Sequence, residues 1–134
     1  MKISDKFHLE DINKLKNTVL TGKTEDIKWR IQHINIVSKL LDENKKEIIK
    51  SLFVDLGKSE IEGLSEILLV KEEISLIKNK LNSWMRPKKI NTPFYLFPST
   101  SKVIYEPLGC VLILGPYNYP LLYILKPLVN IFSA

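Results

Sequence analysis

Several residue types are nearly missing from this chain, and each scarcity narrows what it can do. The lone cysteine, Cys110, rules out an intramolecular disulfide and a Cys-rich metal centre. No Asn-x-Ser/Thr acceptor occurs either, and together these features favour a reducing, cytoplasmic setting. No apolar run approaches the roughly 20 residues needed to span a bilayer. The first twenty residues carry Asp5, Glu10 and Asp11 where a signal peptide has its apolar core, and Lys126, Pro127 and Asn130 interrupt the apolar tail. The two histidines, His8 and His33, read as surface residues on polar helix faces, which leaves no histidine base. Glycine is sparse, and no Gly-x-Gly-x-x-Gly follows a strand. Gly22-Lys23-Thr24 and Gly57-Lys58-Ser59 resemble the end of a phosphate-binding loop. Asn17 and Leu52 stand where that loop needs its first glycine, so both triplets read as helix ends followed by caps. Acidic residues are scarce after residue 85: residues 86–134 hold five Lys/Arg and one Asp/Glu, which accounts for most of the net charge of +5. Arg86, Lys88 and Lys89 form the only tight basic cluster, without interleaved aromatics to stack on bases, so no nucleic-acid partner is expected.

What is present is a soluble globular composition, 45% apolar and 26% charged, with strong helical periodicity. A first helix is expected from Asp5 to Leu20, with Ile12, Leu15 and Val19 on one face and Thr21-Gly22 as its stop. Thr24 is placed to cap a second helix carrying Ile27, Ile31, Ile34, Val37 and Leu41, which breaks at Asp42-Glu43-Asn44. Ile48, Ile49, Leu52, Phe53 and Leu56 mark a third, ended by Gly57 in a left-handed cap. Ser59 and Glu62 read as a capping box that opens a long fourth helix, which Pro87 must end after Trp84.

Beyond Pro87 the pattern changes. Phe94–Phe97 and Lys102–Tyr105 read as a β-hairpin around a four-residue loop, Pro98 to Ser101. Val111–Leu114 is an unbroken apolar run between Gly109 and Gly115, as expected of a strand buried in a parallel sheet, and Cys110 at its start reads as a core residue rather than a nucleophile. Leu121, Leu122, Ile124, Leu125, Leu128, Val129 and Phe132 then recur at helical spacing. In open α/β sheets ligands sit beyond the carboxyl ends of strands, which directs attention to Gly115–Asn118. On residue type alone, Asn118 is a helix cap, a turn residue or a ligand contact.

Glu106-Pro107-Leu108-Gly109, a hydrophobic strand and Gly115-Pro116-Tyr117-Asn118-Tyr119-Pro120 together resemble the aldehyde dehydrogenase superfamily. Asp55-Leu56-Gly57-Lys58-Ser59-Glu60, Trp84-Met85-Arg86-Pro87-Lys88-Lys89 and Thr92-Pro93 resemble its class 3, fatty-aldehyde branch. The resemblance implies an α/β chain in three parts: an N-terminal four-helix region (1–90), a β-hairpin used in subunit association (91–107), and the first strand and helix of a Rossmann-like NAD(P)-binding domain (108–134). It implies oxidation of aldehydes to carboxylic acids through a cysteine thiohemiacetal, with NAD or NADP as cofactor, in a homo-oligomer. Asn118 would donate its side-chain amide to the oxyanion, and Gly115, Pro116 and Tyr117 would line the nicotinamide side. The family's catalytic cysteine and glutamate, and the lysine that holds the adenosine ribose, match no position here, so the chain reads as an N-terminal piece that is inactive alone. The alternative is a non-catalytic helical interaction or scaffold protein derived from the family.

Overall fold

The computed structural model describes residues 9–134, so the expected helix start at Asp5 and His8 lie outside the described residues. Helix α1 runs Leu9–Leu20 and ends at Gly22, whose φ of 72° is left-handed. A short 3-10 turn, Lys23–Glu25, precedes α2 (Ile27–Glu43). The cap of α2 is Asp26, whose carboxylate accepts from the Lys28 amide, and not Thr24, which the 3-10 turn absorbs. α3 (Lys45–Leu56) stops at Gly57, φ 68°, as its left-handed cap requires. The Ser59–Glu62 capping box forms in full and opens α4 (Glu60–Trp84). That box holds the Glu62 carboxyl below its ordinary range, mainly through the Ser59 amide and secondarily through its hydroxyl.

The core lies between three helices. Ile34, Val37 and Leu41 of α2 pack with Ile67, Val70, Ile74, Ile77 and Leu81 of α4 and with Val129 of α5 (Pro120–Ser133). The α4 residues alternate steps of three and four, which puts them on one stripe. Burying each such side chain contributes about 1.5–3 kcal/mol. α3 lies against α4 where Gly63 has no β-carbon, with Ile49 and Leu52 in contact range of the position one would occupy.

The β structure departs from expectation. The sheet has two antiparallel strands, β1 (Lys88–Ile90) and β2 (Ser101–Val103), in register Lys88↔Val103, Lys89↔Lys102 and Ile90↔Ser101. Phe94–Leu96, expected as strand, is a 3-10 turn closed by Leu96 N–H to Pro93 O (3.0 Å) and Phe97 N–H to Phe94 O (3.0 Å). The Ser101 amide donates to Thr92 Oγ1 at 2.8 Å, tying off the longer connection. Residues 104–116 form no strand: Val111–Leu114 has no neighbouring strand to bond among the described residues, and a buried parallel strand needs one on each edge. For the same reason Cys110, expected in the core, is exposed. No described helix is long and apolar enough to cross a membrane.

Candidate functional site at the turn before α5

Gly115 to Tyr119 leads into α5. A β-carbon on Gly115 would stand 3.0 Å from Ile124 Cγ1 and 3.5 Å from the Tyr123 carbonyl oxygen, so glycine lets this backbone lie against the helix. Pro116, Tyr117 and Asn118 follow with exposed side chains, and residues 117–119 bend into the helix. Pro120 takes the first helical position, where its missing amide costs nothing.

Asn118 does not cap α5. The residue at the capping position is Tyr119, which offers no side-chain bond. The acceptor comes from elsewhere: Glu66 of α4, fully buried, takes the Leu122 amide on Oε2 at 3.0 Å. Its other oxygen, Oε1, pairs with Lys58 Nζ. That ammonium lies 3.7 Å from the centre of the Tyr119 ring, and Tyr119 meets Tyr123 edge to face at 6.0 Å. A buried carboxylate at a helix N-terminus suits the positive end of the helix dipole. Read from sequence, Lys58 belongs to a helix junction and to a motif of the resembling family, and Glu66 is unmarked. The available signal was a carboxylate at the edge of the α4 apolar stripe, a position that apolar residues ordinarily fill.

The far end of α5 is held in the complementary way. Arg30 of α2, 5% exposed, donates from its Nη1 to Ser133 O at 2.8 Å and from Nε to Thr24 O at 2.9 Å. Burial lowers its pKa, and the nearby Glu25 charge opposes that shift without cancelling it. Midway, Glu73 of α4 accepts from Asn130 Nδ2 (3.0 Å) and pairs with Lys126 Nζ (3.1 Å). Burial alone would raise the Glu73 carboxyl, but the hydrogen bonds from Asn130 and Lys126 and the Lys126 charge outweigh it and hold it low.

His33, read as a plain surface residue, is half-buried instead. It stacks on Trp29 with ring centres 3.8 Å apart, and its Nδ1 donates to the Trp29 carbonyl at 2.8 Å. Cys110 borders an apolar cleft of about 380 Å³ between the 107–113 segment, Leu15, Trp29 and Phe132, with no histidine lining it. Chemically, the turn offers one neutral amide donor, Asn118, and exposed backbone from Gly115 to Tyr117. Among the described residues, no three His, Cys, Asp or Glu side chains are grouped to hold a metal ion.

Known proteins carry a similar segment. Residues 18–133 match the aldehyde dehydrogenase family. A family 3 aldehyde dehydrogenase of Mus musculus, member B3, is 36% identical over 126 residues, 93% of this chain and 26% of its own length. The 4,4'-diaponeurosporen-aldehyde dehydrogenase of Staphylococcus aureus is 35% identical over 115 residues, 85% of this chain and 25% of its own. A solved structure described as the substrate-bound state of Staphylococcus aureus AldH superposes with a TM-score of 0.89 at 30% identity, covering 99% of this chain and 28% of that one. The chain thus spans about a quarter of the length of the curated relatives it matches. With its motifs and its backbone both matched, the chain belongs to the aldehyde dehydrogenase family.

Proposed function

We propose that this chain is the amino-terminal part of a class 3-like, NAD(P)-dependent aldehyde dehydrogenase, in which Asn118 stabilises the oxyanion. The observation that carries this reading is the Asn118 amide itself. It stands exposed in the turn while Glu66 does the capping that would otherwise explain an asparagine there.

In the reaction, a cysteine thiolate from the remainder of the polypeptide attacks the aldehyde carbon. As the sulfur–carbon bond forms, the carbonyl π pair moves onto oxygen, and the Asn118 amide donates to that oxyanion. A neutral, fixed N–H donor stabilises developing charge without titrating. The carbon–hydrogen bond then breaks, leaving a thioester, which water activated by a carboxylate hydrolyses to the acid and the free thiol. A nicotinamide dinucleotide, when bound, would supply the hydride acceptor for that carbon–hydrogen cleavage. Gly115, Pro116 and Tyr117, all exposed, would line the nicotinamide side of that cofactor. The residues present do not fit its pyrophosphate at the α5 N-terminus, because the Glu66 carboxylate already occupies the Leu122 amide.

The division into a helical region (1–90), a sheet extension (91–107) and the start of a Rossmann-like domain (108–134) belongs to this reading. So does Val111–Leu114 becoming a strand once neighbouring strands lie beside it. The two-stranded sheet, with an exposed edge, suits homo-oligomer formation, and the exposed lone thiol suits a reducing cytoplasm. The test is Asn118→Ala in the intact polypeptide in which this sequence occurs. The turnover number should fall about 10²- to 10³-fold with little change in KM. The isolated 134-residue chain should produce no NADH from aldehyde and NAD. Full turnover by the Asn118→Ala enzyme would remove the oxyanion role.

A further inference from the structure

We infer that the buried Lys58–Glu66 pair is a positioning device for the Asn118 turn, acting from α4 on a residue it does not touch. The inference rests on the oxyanion reading of Asn118.

The geometry supports it in three steps. Glu66 is fully buried; neither of its oxygens bonds a residue of α2, and only the Lys58 pair ties α4 back to the α3–α4 connection. One takes the Leu122 amide and the other takes Lys58. Lys58, with its side chain 11% exposed, sits between that carboxylate and the face of Tyr119. Two residues on either side of Pro120, namely Tyr119 and Leu122, are therefore tied to one buried ion pair. Asn118 is the next residue out, and its own side chain has no capping role to fix it. A charged group buried at this cost, in a place where leucine would pack, is explained by what it orders. With Pro120 fixing φ between the two tethers, the direction in which the Asn118 amide leaves the chain is set from α4. An oxyanion donor must hold its direction closely, since misplacement by about 1 Å can cost on the order of 100-fold in rate.

The variant that separates positioning from stability is the paired Lys58→Met/Glu66→Leu. Replacing both members by apolar groups of similar shape is close to neutral for folding, whereas removing one strands a buried charge. In the intact polypeptide the paired variant, which leaves only the Leu122 amide without its acceptor, should still unfold in one cooperative transition at a modestly lower midpoint, and should lose about 10- to 100-fold in kcat with KM little changed. Lys58→Met/Glu66→Gln, whose single amide oxygen can still accept from the Leu122 amide with no ammonium beside it, should recover most of that loss. Adding Asn118→Ala to the paired variant should cost nothing beyond Asn118→Ala alone. An unchanged kcat, or losses that multiply in the triple variant, would overturn the inference.

The oxyanion reading fails separately, by Asn118→Ala turning over normally. The tether is then judged by amide exchange: faster exchange confined to residues 115–122 in the paired variant upholds it, and unchanged exchange overturns it. Should the paired variant not fold, the native protein decides. There the Leu122 amide should exchange as slowly as the α4 core amides, and exchange at the rate of an open loop overturns the tether.

Discussion

At Gly115 the backbone lies against a carbonyl, that of Tyr123, whose usual amide partner four residues on is Pro127 and so does not exist. The helix therefore lacks that bond on the side that the turn approaches. Adding one methyl there forces Ile124 to move, though as a flexible side chain it can yield. Gly115→Ala should cost about 1–3 kcal/mol, read by chemical denaturation, and should also shift the exposed turn. Glu73 makes a different kind of contribution. Its folded pKa lies below the 4.5 of an unperturbed glutamate, so the unfolded chain takes up the proton first. Its stabilisation is complete above that value and is lost as pH falls through the lower folded one. Glu73→Gln should therefore lower stability at neutral pH and leave it nearly unchanged in strong acid, which flattens the acid side of a stability–pH curve. At this scale Asn118 was legible as a residue of interest. Glu66 was not, because its partner, Leu122, is 56 positions away.

The helix ends were legible wherever the signal and its partner lie within a turn of each other. Gly22, Gly57 and the Ser59–Glu62 box each satisfy amides or carbonyls three to six residues away. Thr24 misled because two acceptable caps, Thr24 and Asp26, stand two residues apart, and only the 3-10 turn between them decides. The strands were poorly legible. Aromatic and β-branched content marks Phe94–Phe97 as strand-like, but pairing depends on a partner that composition does not name. The residues that paired were the lysine-rich Lys88–Ile90 with Ser101–Val103. Val111–Leu114 shows the same limit, a strand pattern with no strand beside it. α5 is held at one end by a carboxylate and at the other by a guanidinium. Arg30→Met should cost about 2–4 kcal/mol by denaturation and speed exchange in the last turn of α5, because two charged hydrogen bonds are lost. Arg30→Lys should recover little, since an ammonium lacks the planar fork that reaches both carbonyls.

Over the whole molecule, much apolar surface faces outward: Phe94 is 92% exposed and Leu108 98%, with Tyr95, Phe97 and Leu114 close behind. Isolated apolar residues on a surface are ordinary, but a run of them along residues 94–114 has the character of an interior left uncovered. The isolated chain should sediment above its 15.5 kDa monomer mass and bind a hydrophobic dye. A sharp two-state monomer would argue for the scaffold alternative instead. The three-helix core has a further consequence for how the protein is made. α2 and α4 leave the ribosome well before α5, yet the pocket they form is completed only by Val129, and Arg30 finds its second acceptor only at Ser133. Until residue 133 has emerged, the nascent chain presents a half-built groove with a guanidinium at one end, and that interval is when a chaperone would bind it.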